Sequence, residues 1–521
     1  MKKIYSHLNT PWDIGQFVFT LYVTGILAAH LFLVSATCSG IFRSVFLAAF
    51  FAIIIAPLLL AKAKKLYIPI VSHPHKPVYN TLFYGLPLLI FLIYWAAYYP
   101  GGFTPDNFNQ YEQVLLNRYN DWHPVVATLI SFKLPLFLAQ GWIGSIILFQ
   151  ILCFSAAIGY ACQTVEKYVS PTVAFVLLAF ILLNPQTGNM AMSPWKDTLF
   201  AIFTLFLTTG ALHIHFTNGQ WLADNRRACY LVLLLAITTL LRHNAVLFTI
   251  PFLLGLFFFT TRKRATAIFL SVIGLCLLTK WILFPVLQVQ PAPQRRAEML
   301  GLPMSVISAV AAYDQTSMDT QTREFIYAVA NPETYPAAFA YGYNSIKFLP
   351  GTNNQIIEEY GVKKVLRIFG RCFKQSPKVA AKEFIKTTAT VYSVLDEAPA
   401  PFFPIITGNK YGISQKGVPE LRLWGYYYTR LCSVLFAPLW VYVGMMHLLL
   451  ILAVCAKCTA RKYWKNILFV IPLFSYNFGT VLLLSGIADA GRFFFYTFLV
   501  APVLLILLFS RRMASPLKSV Q

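Results

Sequence analysis

The sequence predicts an all-α polytopic membrane protein, with about twelve membrane-crossing helices and one large, largely helical soluble segment late in the chain. Three observations predict it. Of 521 residues, 58% are hydrophobic and only 12% are charged, whereas an average soluble domain is about a quarter charged. The apolar residues come in runs, many of them near the ~20 residues needed to cross ~30 Å of hydrocarbon. Cations collect in short loops between those runs, and they do so in alternate loops, as orientation in a membrane requires.

The same cation placement disposes of a nucleic-acid reading of the net charge of +23. Nine cysteines are scattered, several inside predicted spans, so no disulfide framework follows. Cys455 and Cys458 form a CxxC, but at the end of an apolar run beside Lys457 and Arg461, where a structural role outweighs metal or redox chemistry. Met1 to Trp12 shows no cleavable signal pattern, so the first span is expected to remain as an anchor.

Spans are predicted at 14–36, 41–61, 78–100, 142–165, 171–186, 198–216, 228–242, 245–260, 265–285, 430–455, 466–485 and 493–510. Each crossing flips the side, which makes charge a test of the assignment. Lys2 and Lys3 start inside. Lys62, Lys64, Lys65 and Lys76 follow the second span, Lys167 the fourth, Arg226 and Arg227 the sixth, and Arg262, Lys263 and Arg264 the eighth. Lys457, Arg461, Lys462 and Lys465 follow the tenth, and Arg511 and Arg512 the last, so all clusters share one side. This parity requires that Val125–Gln140, short and carrying Lys133 and Pro135, lies at the outer surface or re-enters without crossing. The chain then divides into a membrane module at 1–285, an outer soluble segment at 286–428 and closing membrane helices at 429–521. Within the outer segment, 321–394 reads as mostly helical, with loops at Pro350–Asn354 and Pro399–Pro404.

Candidate chemistry sits in the outer segments. In the loop 101–124, Thr104 is a good N-cap and Pro105 a good first helical residue. Phe108, Tyr111, Leu115 and Tyr119 recur at helical spacing, so a helix is expected on the membrane surface with Asp106 in its first turn. Asp106 there either complements the helix dipole or serves as a carboxylate for chemistry. The loop ends Trp122-His123-Pro124, where His123 is either an interfacial anchor or a site residue. The next outer segment ends Trp195-Lys196-Asp197; Asp197 either caps the following helix or, as an ionisable group at membrane depth, is functional. Arg242-His243-Asn244 breaks an apolar run on the same side. Arg492 opens the last span there and needs an anionic partner, for which Asp489 is the nearest in sequence. Carboxylates and cations at one depth suit transfer onto a hydroxyl or amine from a lipid-linked donor: a carboxylate acts as general base and the cations stabilise charge on a departing phosphate.

These motifs resemble those of the GT-C superfamily of membrane glycosyltransferases, which includes protein O-mannosyltransferases and lipid A aminoarabinose transferases. Thr104-Pro105-Asp106 resembles that superfamily's catalytic Asp in the first large outer loop, and Trp122-His123-Pro124 its basic residue before a Pro. Lys196-Asp197 resembles the acidic residue of its next outer loop, Leu241-Arg242-His243-Asn244 its later basic turn, and Gly491-Arg492-Phe493 a Gly-Arg-aromatic start of a late span. The likeness covers roughly 78–260 and the last two spans. One Asp replaces an acidic pair, a His replaces the usual Lys, and 286–428 matches no domain of assignable role. The resemblance implies a GT-C-like fold and an enzyme using a polyprenyl-phosphate sugar donor and a glycan, lipid or protein acceptor. It implies Asp106 and Asp197 as catalytic residues, and His123, Arg242, His243, Arg492 and Lys196 as donor-phosphate ligands. No cofactor is certain; if a divalent cation such as Mg or Mn is used, Asp106 and Asp197 are its ligands. Localisation is expected in a bacterial inner membrane, multi-pass, with the site facing outward. The alternatives are an O-antigen ligase or polymerase, which places catalytic arginines and a His in its late loop, and a lipid-linked sugar flippase, which would show matching halves. The late segment here has no His, and no internal repeat is present.

Overall fold

Residues 14–35, 38–71, 73–292, 295–340, 342–394, 401–458, 464–483 and 490–512 are described by a computed structural model. Lys2, Lys3, Arg461, Lys462 and Asp489, all used in the charge reading, lie outside these residues. The described residues are mostly helical, with strand limited to two short segments, as expected where hydrocarbon leaves no water to satisfy backbone groups. Among the described residues seven helices are long and apolar enough to cross a membrane: Ile14–Leu33, Leu47–Lys65, Pro77–Tyr98, Gly144–Tyr168, Lys196–Phe216, Arg262–Val286 and Trp464–Leu483. The Lys196–Phe216 helix is central, with 78% of its apolar window buried, whereas Arg262–Val286 is peripheral at 11%. Phe154, Phe200, Leu205, Leu499 and Leu504 meet in the core around it.

Other predicted spans are shorter or broken. The run 171–186 becomes Pro171–Leu183 followed by Pro185–Ala191 at 66°. Pro185 has no N–H to continue the ladder, and the Asn184 side chain instead accepts from the backbone of Gln186 at 3.0 Å. The predicted span at 430–455 is not one helix. Pro419–Leu435 and Val443–Lys457 flank a single turn, Ala437–Trp440, that contains Pro438. Runs 228–242, 245–260 and 493–510 form Asn225–Leu241, Val246–Leu256 and Tyr496–Phe509, of 17, 11 and 14 residues. Val125–Leu138 is a short apolar helix with a π turn at Leu129–Lys133.

The basic loops gather at one end of the bundle. Ile68–Ile70 pairs in parallel with Ser510–Arg512, Val71 N donates to Val169 O at 2.9 Å, and Lys457 Nζ reaches Lys64 O at 3.0 Å. At the opposite end the late segment returns to the first loop: Phe103 N donates to Ile405 O at 2.8 Å and Gln290 N to Tyr119 O at 2.9 Å. The expected helix Pro105–Leu116 is present, and part of its apolar face packs against the protein itself while Leu115 stays exposed. Phe108 stacks 5.9 Å from Tyr411, Tyr111 meets the same ring at 5.3 Å, and Phe103, Phe132 and Leu136 complete the cluster.

The late segment has a second core of its own, built from Met304, Ile307, Phe325, Tyr335, Tyr343 and Ile368. Helicity begins earlier than the expected 321, because Gly301–Tyr313 is a helix buried from Gly301 to Ala311. Gln355–Gln375, kinked at Gly361, and Pro377–Ala389 carry the expected later helices. The loop at Pro350–Asn354 is irregular as expected; of 399–404, the part 401–404 is irregular and 399–400 lie outside the described residues.

Candidate active site

Thr104 begins the construction. Its backbone N–H and hydroxyl both donate to Asn107 Oδ1, at 3.0 and 2.9 Å, so the first turn closes on itself. Asn107 Nδ2 then donates to Pro194 O at 3.2 Å, and Trp195 Nε1 donates to Thr104 Oγ1 at 3.1 Å. The first loop and the 184–197 segment are thereby locked together. Gly102 N donates to Met192 O at 2.7 Å. The backbone passes this close because Gly101, at φ +138°, has no side chain; a Cβ there would stand 2.4 Å from Ile147 Cγ1. Gln150 Nε2 supports the other wall, donating to Ala191 O at 2.8 Å and Ser193 O at 3.0 Å.

On this frame the predicted residues meet. Arg492 Nη1 donates to Asp106 Oδ2 at 3.1 Å, across 386 positions of sequence. Arg492 Nε lies 3.4 Å from Asp197 Oδ2. Arg242, the residue that ends the Asn225–Leu241 helix, forms an ion pair with Asp197, and both side chains are buried. Lys196 Nζ donates to His123 Nδ1 at 3.2 Å. This leaves the hydrogen of a neutral His123 on Nε2, which is 3.9 Å from Asp106 Oδ1, beyond hydrogen-bond range, and has no partner. Asp106, His123, Lys196, Asp197, Arg242 and Arg492 therefore form one connected group. His243 sits beside it, its Nε2 3.0 Å from Asp121 O.

Exposure separates their capacities. The Asp106 side chain is 37% exposed and Arg492 14%, whereas Asp197 is 1% exposed. Only Asp106 among the two carboxylates can meet a solvent-borne group. Asp197 instead holds two guanidinium groups in register. Arg242 is enclosed by the rings of Phe493, Tyr476 and Phe200, at 5.2, 5.7 and 5.9 Å. Its charge faces Asp197, so it is poorly placed to touch a donor phosphate directly. Arg492 lies over Trp195 at 4.8 Å and Phe493 at 5.0 Å, which fixes its plane while leaving an edge open.

Burial pushes the His123 imidazole down to about 3, helped by the neighbouring Lys196 ammonium and opposed by Asp106, so His123 is a neutral donor near pH 7. Burial raises the Asp106 carboxyl, but Lys196 and Arg492 outweigh it and hold the group below the usual carboxylate range. His243 is lowered, by burial first, against the opposing Asp121. Arg242 and Arg492 balance Asp106 and Asp197 in number, and Lys196 adds a third basic group, whose ammonium form would give one positive charge in excess and suit one more anion.

A divalent cation held by Asp106 and Asp197 would have to displace a guanidinium group. Arg492 is paired with both carboxylates, and among the described residues no group of three or more His, Cys, Asp or Glu side chains could hold a metal ion. Sequence reasoning named Trp195 and Phe493 only as neighbours within motifs and passed over Tyr476, whereas the rings of all three flank the two arginines. Their aromatic character alone suggests membrane-interface anchoring, and only the fold turns them toward guanidinium groups. The suggested partner Asp489 lies outside the described residues; Arg492 has Asp106 and Asp197. Comparison of the chain with family models, with curated proteins and with solved structures returned no match.

Proposed function

We propose that this protein is a membrane glycosyltransferase that moves a sugar from a polyprenyl-phosphate donor to a glycan, lipid or protein acceptor at the outer face of a bacterial plasma membrane. The proposal includes a GT-C-like arrangement, twelve crossings with both termini inside, and 286–428 outside. One observation carries it: Asp106, a solvent-reachable carboxylate kept ionised, stands against Arg492 and an unpartnered His123 Nε2–H, with Lys196 beside them.

In the reaction the acceptor oxygen or nitrogen attacks the anomeric carbon and gives its proton to Asp106. The bond from the anomeric carbon to the phosphate oxygen breaks, and polyprenyl phosphate leaves as an anion. Arg492, His123 Nε2–H and Lys196 stabilise the charge gathering on that phosphate. Asp197 and Arg242 position Arg492 and are not themselves in contact with the reacting atoms. The test is release of free polyprenyl phosphate from a panel of polyprenyl-phosphate sugars, followed by mass spectrometry with purified protein and cell-envelope extract as acceptor source. Acceptor-dependent release that disappears in Asp106→Asn supports the reading; no release from any sugar in the panel overturns it.

A further inference from the structure

The Pro377–Ala389 helix of the late segment has three distinct sides. One carries Ala380 into the second core, with Val379 and Phe384 packed against it. The next carries Ala381 and Ile385. These line a groove of about 260 Å³ together with Gly25, Ala29 and Phe32 of the Ile14–Ser35 helix and Val45 of the Cys38–Lys65 helix. The third carries Lys378, Lys382 and Lys386, which recur every four residues and so share one face. All three lysines are exposed and make no ion pair among the described residues.

Glu383 is the one carboxylate on this helix. It is buried and accepts from the Thr387 hydroxyl at 3.3 Å. Three lysines against one carboxylate leave the helix with a surplus of two positive charges even when Glu383 is fully ionised. None of these groups takes part in the chemistry above.

The depth of this helix follows from its neighbours. Ile14–Leu33 is one of the membrane-type helices. At 1.5 Å per residue, Gly25 and Phe32 stand about 17 and 27 Å from its start. Both therefore fall in the second half of a hydrocarbon layer ~30 Å thick. Beyond the Pro377–Ala389 helix the chain continues inward. His447 Nδ1, on the apolar Val443–Lys457 helix, donates to Val391 O. A Cβ on Gly444 of that helix would stand 2.3 Å from Ser393 O, so only glycine admits the chain there. The lysine face thus meets the boundary between acyl chains and headgroups, in the leaflet on the side of the late segment. A lysine at that level keeps its stem on apolar surface and extends its ammonium into the polar layer.

We infer that the groove and the lysine face together bind an anionic phospholipid of that leaflet, an acyl chain lying against Gly25 and Ala381 and the headgroup phosphate against Lys382 and Lys386. Both parts of the site are needed for that choice. A soluble polyanion uses the lysines and leaves the groove empty, and a neutral lipid uses the groove and gains nothing from the lysines. Ala381 adjoins Lys382 and Ile385 adjoins Lys386 in sequence, so one ligand reaches both parts. The inference does not depend on the glycosyltransferase reading. The experiment uses the full chain, delipidated in a neutral detergent, with two photoreactive lipids in mixed micelles. These are phosphatidylglycerol and phosphatidylcholine, each carrying a diazirine in one acyl chain. Labelled peptides are mapped by mass spectrometry, and labelling is followed against lipid concentration. One variant combines Lys382→Gln with Lys386→Gln at exposed positions. The other, Gly25→Leu, fills the groove. Nothing stands within 4 Å of a Cβ at Gly25, and leucine favours a helix over glycine, so this variant keeps its fold. Thermal unfolding checks both.

Phosphatidylglycerol should label peptides containing 25–32 and 381–385 saturably, and in preference to phosphatidylcholine. Loss of two lysines beside an anionic headgroup should weaken that labelling roughly 30-fold in apparent affinity. Gly25→Leu should reduce labelling of the same peptides by both lipids. Equal labelling by the two lipids in the unmodified protein overturns the inference. Undiminished phosphatidylglycerol labelling in the lysine variant, which marks a groove for neutral lipid, overturns it as well, and so does undiminished labelling in Gly25→Leu, which places the lipid outside the groove.

Discussion

Replacing Asp106 by asparagine removes one negative charge and keeps the size and shape of the side chain. Arg492 loses its 3.1 Å partner but retains Asp197 at 3.4 Å and the Trp195 ring at 4.8 Å, so its position survives. Because the Asp106 side chain is 37% exposed, the lost pair resembles a solvent-screened one, and folding stability should change by no more than ~1 kcal/mol. The effect on chemistry is far larger. A positioned general base contributes about 100- to 10,000-fold, and an amide cannot take the acceptor's proton. Transfer by Asp106→Asn should fall by that order while the melting temperature barely moves and donor binding persists. The assay is single-turnover release of polyprenyl phosphate from a donor already shown to be a substrate, beside a binding titration of the same donor. Undiminished transfer by the folded variant would refute the reasoning and leave Asp106 with a helix-start role alone.

Three other expectations concern the same molecule. Arg242→Met leaves the Asp197 carboxylate, 1% exposed, with Arg492 as its one ion-pair partner, and should destabilise the protein by less than the ~3–5 kcal/mol of a wholly uncompensated buried charge; thermal unfolding reads it, and adding Asp197→Asn should restore much of the loss, whereas an unchanged melting point in Arg242→Met would contradict the buried pair. Asp106 is depressed by Lys196 and Arg492 against burial, and a depressed carboxylate stays ionised down to its lowered value, while His123 at about 3 does not titrate near neutrality. Titration of the Asp106 base should therefore produce no acid limb between pH 7 and about 5, above the ordinary carboxylate range, and a fall in transfer centred near pH 6.5 would assign the base to a histidine. Cysteines placed at Gly351 and at Lys76 in a cysteine-free background should label from opposite sides of the membrane, Gly351 from outside; labelling of both from one side would break the proposed topology.

Much of the architecture was legible from run length and composition. Apolar runs of about 20 residues do not fit a soluble core, and seven of them are long membrane-type helices in the structure. The start of the Pro105–Leu116 helix was legible too, because Thr104 and Pro105 act through local backbone geometry. The Gly301–Tyr313 helix was missed for a physical reason: its 13 mostly apolar residues form a segment too short to span a membrane, and in a buried helix they show no charged face for periodicity to detect. The 430–455 run was misread because apolarity alone does not register the break that Pro438 imposes.

Ionisable residues at the ends of apolar runs marked Asp106, His123, Lys196, Asp197, Arg242 and Arg492 from the sequence alone, since an unpaired charge at such a depth is too costly to be incidental. Which of them touch was decided by the tertiary structure. Arg492 meets Asp106 across 386 residues, and His73 meets Glu166 across 93. Such pairings depend on how helices cross and where loops return. The return of 401–407 onto Phe103, for example, puts Phe402 4.4 Å from Trp195 and so sets the ring on which Arg492 lies. A hydrophobic period records which face of a helix is buried. It carries no information about the partner of that face, so charge location could be read along the chain, while the division between a reachable Asp106 and an enclosed Asp197 arose only when the helices packed.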